Sequence, residues 1–334
     1  MAGKKDKPVY QASARLLEKF PNVSGNTVNG LDEPKARAPS PFFWHPPDKQ
    51  AFGDLQQFIV GDLRPASGED HSFRNPAVDR GPSPVEVART VVQRDAAEWT
   101  EKVHQFSLAN EADLCGITSM KPHYVYNGYA IDEPTVIILG VGHDYEELAK
   151  APPTVDDLSA YHELHKQYNR GARVANRLTN YIREQGYKAQ SYPGPMADAL
   201  AMIPAAIDSG LGELGKHGSM INRQFGSAFR LSAVTTDMPL DLNEPDEFGA
   251  DEFCLNCQVC RNACPPDAIF NEKKMVRGEL KWYVDFDSCI PYFGENFACG
   301  ICIAVCPWSR PGIAENLIRK MAKRRAKGKF SKDQ

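Results

Sequence analysis

The chain has 334 residues, of which 42% are hydrophobic and 25% charged, and its formal net charge is −4. This length suggests about two domains, and the weak negative charge excludes a general attraction to nucleic acid or to an anionic membrane. No apolar run approaches the roughly 20 residues that span a bilayer, and the charged start Met1-Ala2-Gly3-Lys4-Lys5 leads into no apolar core or twin arginine. The expectation is a cytoplasmic protein with no transmembrane anchor.

Residues 1–82 are rich in Pro, Gly, Asp and Lys, and Pro39, Pro41, Pro46 and Pro47 break any helix there. They read as an extended arm with short elements, lying over the rest. Helical spacing of Val85, Ala88, Val92, Ala96, Trp99 and Val103 predicts a helix over 84–106, with Pro84 in its first turn. The β-branched run Pro134–Gly142 predicts a buried strand. A long helix is predicted over 155–186, with Gly186 as its C-cap. A short strand at Tyr187–Tyr192, a helix at Ala197–Ser209 and a strand at Phe229–Thr235 follow. This alternation argues an α/β or α+β core. The linker Pro239–Asp251 leads into a cysteine-rich segment, and Ile313–Arg325 reads as a basic helix. The basic run Arg319, Lys320, Lys323, Arg324, Arg325 and Lys327 is a solvated face, or a surface for an electron donor or an anionic surface.

Eight of the nine cysteines lie between 254 and 306. The first run is Cys254-x2-Cys257-x2-Cys260-x3-Cys264-Pro265, and the second is Cys289-x9-Cys299-x2-Cys302-x3-Cys306-Pro307. Three thiolates of such a run wrap one [4Fe–4S] cube, and the fourth, before proline, reaches the other cube. The wiring predicted is Cys254, Cys257, Cys260 and Cys306 on one cluster, with Cys264, Cys289, Cys299 and Cys302 on the other. Structural zinc and a disulfide framework are the competing readings. Zinc fits two Cys-Pro-closed runs poorly, and disulfides need an oxidising compartment. The wide gap between Cys289 and Cys299, predicted to hold a loop with Pro291, Gly294 and Asn296, departs from the compact pattern. Cys115 stands alone and reads as a small buried residue. Trp282, Trp308 and Tyr292 flank the cysteines and read as shields against water, with Trp282 or Tyr292 also able to face a substrate.

Four segments then carry a family resemblance: Met202-to-Gly218 with its Gly210-Leu211-Gly212-Glu213-Leu214-Gly215-Lys216-His217 core, Gly226-to-Leu240, Lys281-Trp282-Tyr283, and Cys299-to-Pro311. Together they resemble the corrinoid-dependent reductive dehalogenases, whose wider group includes epoxyqueuosine reductase. The resemblance spans roughly residues 110–312. It implies an α+β fold: a nitroreductase-like, B12-processing-type corrinoid-binding core over 83–240, an appended two-[4Fe–4S] ferredoxin-like domain over 241–312, the arm before them, and a basic helix and tail over 313–334. It further implies two cofactors, the paired [4Fe–4S] clusters and a base-off cobamide. The reaction implied is reductive removal of halide from an organohalide, an aromatic one being the guess. No reductase domain is fused, so a ferredoxin, flavodoxin or separate reductase would be the electron donor.

On this reading Tyr168 is the candidate proton donor, with Arg230, or second Lys216, as the cation that supports it. The glycine-rich loop is the candidate corrinoid contact, through Gly212, Gly215, Lys216, His217, Gly218 and Ser219; its bland alternative is a helix cap and tight turn. His143, after a buried strand, would touch substrate or corrin, or is structural. Two alternatives stay open. One is an epoxyqueuosine-reductase-like tRNA-modifying enzyme, although Arg173 stands where that group has its aspartate. The other is a non-catalytic iron–sulfur or corrinoid carrier.

Overall fold

The computed structural model describes residues 10–63, 79–195 and 198–327. Part of the N-terminal arm expected from the sequence, residues 64–78, lies outside them, as do the first nine residues and the last seven.

At the centre lies a four-stranded sheet of β1 (Leu114–Ser119), β2 (Thr135–Gly142), β3 (Ala189–Tyr192) and β4 (Phe229–Thr236), in the order β1-β2-β4-β3. Every pairing is antiparallel, so the fold is α+β. All eight residues of β2 are buried, because helices cover both faces of this inner strand. Side chains alternate across a strand. Thus Ile137, Leu139 and Val141 enter one apolar cluster and Val136 and Ile138 enter another.

The first face packs on two helices, α1 (Ala96–Ala109) and α2 (Ser159–Glu184). Trp99 and Val103 of the former and Val174, Leu178 and Ile182 of the latter are fully enclosed there. The helix α2 ends as expected: Gly186 takes φ +89° and Tyr187 N–H bonds back to Ile182 O. The opposite face packs on α3 (Met202–Asp208) through Ala205 and Ala206.

Two expected helices are shorter than their sequence patterns. Residues 84–94 are not helical, and α1 begins only at its Asp95 N-cap, whose side chain accepts from Glu98 N–H. The extended stretch before it is held by other partners: Ala88 N–H bonds to Arg183 O, Val92 N–H to Gln185 O, and Val85 N–H to Asn180 Oδ1. Its backbone thereby binds the end of α2, and this tertiary pairing overrides helical spacing. Likewise α3 starts at Met202 rather than 197, since Leu200 pairs with Val125 in an isolated bridge and Asp198 has φ +48°.

The cysteine-bearing segment forms short helices around its ligands: α4 (Ala250–Asn256), α5 (Val259–Ala263), α6 (Phe286–Glu295) and α7 (Ile301–Ala304). The segment after Cys289, expected to be a loop, continues a helix through Pro291 and Gly294. Asp285 caps it by accepting from Ser288 N–H, and Gly294 faces Ile59 and Leu16 of the arm. The chain then reverses through Phe297, Ala298 and Cys299, all with positive φ. A last helix, α8 (Ala314–Ala326), follows. The arm packs on α6, with Leu16, Phe52, Leu55 and Ile59 joining Ile290 in one buried cluster.

Candidate functional site

Cys254, Cys257, Cys260 and Cys306 line one small cavity, closed by Lys216, His217, Phe253 and Trp308. Cys264, Cys289 and Cys302 gather in the adjoining cluster with Cys260. The Cys302 thiol is raised first by burial and then by the charges of Cys299, Cys289, Cys260 and Cys264. The two sets therefore adjoin. Burial likewise pushes Cys260 up to about 12 and Cys306 and Cys299 to about 11. Thiolates crowded into low dielectric need a compensating cation, and the irons of a cubane supply it.

The glycine-rich loop belongs to this first cysteine set. Lys216 N–H donates to Cys254 Sγ at 3.4 Å. Its ammonium, lowered in pKa by burial, lies 4.9 Å from the Trp282 ring centre and has no hydrogen-bond partner among the described residues. His217 is held on both sides: its Nδ1 accepts from Ser219 N–H at 3.2 Å, and its Nε2 lies 2.8 Å from Ser227 Oγ, which donates to Met220 O. Burial pulls its pKa to about 4, so it is neutral and carries no charge toward a phosphate. A Cβ on Gly212 would meet Ile221 O at 2.2 Å, and one on Gly215 the His217 ring at 2.7 Å. These glycines, with Gly218 at φ +75° against Val284, let the chain pack on itself.

A separate cavity of ≈ 330 Å³ has Tyr168, Arg230, Trp44, Phe293, Phe297 and Ala298 among its walls, the last two being the residues before Cys299. Tyr168 projects from α2 and Arg230 from the start of β4. The register places Arg230 opposite Val141, so strand and helix meet at this end of the sheet. The Arg230 guanidinium lies 5.0 Å from the Tyr168 ring centre. Its Nε is buried and has no hydrogen-bond partner among the described residues. Arg230 does not pair with the acid further along its strand end, Asp237, which accepts from Lys188 N–H. Tyr168 and Arg230 are thus brought together, whereas Lys216, His217 and Ser219 are not among the residues of this cavity. Neither are Trp282 and Tyr292; Trp282 Nε1 instead donates to Asp251 at 2.6 Å.

His143 is also absent from the cavity wall. Its side chain is 2% exposed and its Nδ1 lies 3.3 Å from Glu163 Oε1. Burial lowers the imidazole pKa despite that carboxylate, so the contact joins a neutral histidine to a carboxylate and is no ion pair. Glu163 also accepts from Asp144 N–H at 2.8 Å and Gln167 at 2.7 Å. Asp113 bonds Gly142 N–H and Arg170 at 2.7 and 2.8 Å. These carboxylates fasten the end of β2 to the turns of α2 that carry Tyr168. Arg173 pairs with Glu111 at 2.7 Å, away from the cavity. Cys115, expected to be buried, is a half-buried strand residue whose thiol burial raises to about 12.

Some lining residues escaped the sequence reading. His165 and Asn169 share the wall with Tyr168 and with Tyr161, a competing tyrosine of the same helix, and their spacing of three and four on one helix face was a readable signal. Arg80 and Trp44 carry no such signal. Arg80 reaches the wall by donating to Gly194 O, and both come from segments far away in sequence.

Residues 253–309 match the 4Fe-4S dicluster domain family. A tetrachloroethene reductive dehalogenase of Desulfitobacterium hafniense is 33% identical over 190 residues, covering 53% of this chain and 33% of that relative. The epoxyqueuosine reductase of Salmonella typhimurium is 27% identical over 233 residues, covering 64% of this chain and 56% of the relative. Among solved structures, a reductive dehalogenase reported to suggest a mechanism for B12-dependent dehalogenation superposes with a TM-score of 0.64 at 26% identity, over 83% of this chain and 40% of that one. The chain spans about a third of the length of that tetrachloroethene dehalogenase. By sequence and by fold it is similar to the reductive dehalogenases, with a 4Fe-4S dicluster domain at its C-terminal side.

Proposed function

We propose that the protein is a reductive dehalogenase, replacing a halogen on an organic substrate by hydrogen with electrons drawn through two [4Fe–4S] clusters. The observation that carries this reading is one juxtaposition. The Tyr168–Arg230 pair lines a cavity that is also lined by Phe297 and Ala298, which run directly into Cys299. A proton source and an electron source thus meet at one cavity. The first cluster would be held by Cys254, Cys257, Cys260 and Cys306, and the second by Cys264, Cys289, Cys299 and Cys302.

A cobamide is the implied second cofactor, and the sheet layer would be its nitroreductase-like core. The unsatisfied Arg230 Nε and the Asn169 amide beside this cavity suit the amide-rich edge of a corrinoid. Arg230 and Asn169 would hold the corrinoid's edge, and the group would supply redox chemistry for removing halide. The chain's own residues do the rest. Tyr168 holds the proton on its phenol oxygen, and Arg230 sets positive charge over the ring that becomes negative when the proton leaves. Trp44, Phe293 and Phe297 form apolar aromatic walls and exclude water. Arg80 and Arg230 lie among the residues lining the cavity, so a one-ring halide bearing a phenolate or carboxylate fits best. This lining favours a small organohalide over the epoxyqueuosine of a tRNA, and the charge of −4 offers no general attraction to nucleic acid.

The test is Tyr168→Phe in protein loaded anaerobically with clusters and cobamide. Halide release from a halophenol should fall about 100-fold or more, the usual scale for a lost general acid, while iron and cobalt content stays unchanged. Unchanged turnover would remove Tyr168 from the chemistry, and loaded wild-type protein that releases no halide would sink the dehalogenase reading.

A further inference from the structure

We propose that the exposed basic face of α8 is the docking surface for a small acidic one-electron carrier protein of the ferredoxin or flavodoxin class. Electrons would enter at the first cysteine set and leave toward the cavity through the second. The proposal deepens the dehalogenase reading and rests on it only for the final acceptor.

Three observations carry it. First, Arg310, Arg319, Lys320, Lys323, Arg324 and Lys327 are all exposed, and Glu315 is the one acidic residue between Arg310 and Lys327. Lys320, Lys323 and Arg324 have no ion-pair partner among the described residues, whereas Arg325 turns inward to Glu252 at 2.7 Å. A patch of this kind on a chain of net charge −4 is a local field that attracts an acidic partner. Such steering raises association rates about 10- to 1,000-fold and fades with salt.

Second, the patch sits on the first cysteine set. Ala314 and Leu317, on the inner side of α8, share a buried cluster with Cys254, Cys306 and Trp308. Beside it, Leu255 (37% exposed) and Val259 (39% exposed) flank the half-buried Cys257. A basic helix face and a small apolar spot, both next to cluster ligands, are what a transient redox encounter needs, since such interfaces are small and steered by charge.

Third, the second set lies next to the arm and the cavity. The arm covers α6, which carries Cys289, through Phe52, Ile59 and Ile290. Tyr145 closes over α7 by donating to Ala304 O at 3.0 Å. Phe297 and Ala298, next to Cys299, line the cavity. One set therefore packs under α8 and the other adjoins the cavity.

Each encounter oxidises the carrier by one electron and reduces the first cluster by one, with no bond made or broken. Two encounters supply the pair that, with one proton, converts a carbon–halogen bond into carbon–hydrogen and free halide.

The test is stopped-flow reduction of the full-length, cluster-loaded protein by a chemically reduced acidic bacterial ferredoxin. Wild type is compared with Lys320→Glu/Lys323→Glu/Arg324→Glu at low and high salt. The second-order rate should fall about tenfold or more at low salt, and the difference should close as salt rises. Reduction by dithionite should be the same in both proteins, showing that the clusters and fold are intact. Equal ferredoxin rates would overturn the proposal. So would an unchanged ferredoxin rate with lost binding to anionic-lipid vesicles or to tRNA, which would assign the patch to a membrane surface or to RNA. If the charge dependence holds but no donor yields halide, docking stands and the dehalogenase reading fails.

Discussion

The antiparallel layer and the cysteine module are held together by different means. The layer has a fully buried inner strand and helix residues such as Trp99, Val103 and Leu178 at zero exposure. Its stability comes from apolar area removed from water, and no ligand is needed to explain it. The module consists of helices of four to ten residues, and cysteines themselves make up much of its apolar clusters. Thiols raised by burial in that setting mark a region whose folding free energy is coupled to its metal. One half of the molecule is thus a scaffold and the other a wire, and each should fail in its own way.

Four experiments sharpen or break that comparison. The largest effect belongs to the ligands. Cys254→Ala should lower iron from about eight to about four per chain and cut carrier-driven turnover to background. Its thermal unfolding by far-UV circular dichroism should still show the β-rich layer melting separately. Loss of both in one transition would mean that the two halves fold as a unit.

Next comes the joint between them. Gly226 has φ +55°, and a Cβ there would meet the Trp308 backbone at 2.2 Å. Gly226→Ala should cost about 4 kcal/mol, combining left-handed strain with overpacking, and should lower cluster occupancy as well. Denaturant unfolding with iron analysis checks both.

Within the layer, Leu178→Ala should cost about 3 kcal/mol from lost burial and a cavity, with iron content unchanged. A fall in iron would show that the layer's packing reaches the module.

The smallest effect is the pH dependence of the His143–Glu163 contact. Burial lowers the His143 pKa and Glu163 is also lowered. The unfolded chain therefore binds more protons, and stability falls as pH drops below the ordinary imidazole range of about 6.5. Melting temperature against pH should show this slope, and His143→Gln should flatten it by about 1 kcal/mol. An identical slope in that variant would place the titration elsewhere.

Much of this architecture was readable before any fold was known. The β-branched run at 134–142 marked the buried inner strand, and Gly186 marked the end of the long helix, because local backbone preference and burial agreed there. The segment 84–94 was misread as helix because valines at helical spacing say nothing about the Arg183 and Gln185 carbonyls that capture its backbone. The Lys216–His217 loop was read with the Tyr168 site because both lie in one resembling stretch. The register of β4 instead carries Arg230 to α2, while the loop before it turns to Cys254.

By itself the sequence determined where the 4Fe-4S dicluster domain lies, since cysteine spacing and the following prolines are local features of the chain. It also determined which strand is buried and which helix face is basic. Only the tertiary structure decided that Tyr168 meets Arg230, that Trp44 and Arg80 complete their cavity, and that one cysteine set packs under α8 while the other adjoins the cavity. Those contacts join residues tens to hundreds of positions apart, and they follow from strand register and from how the arm packs, which no local pattern encodes.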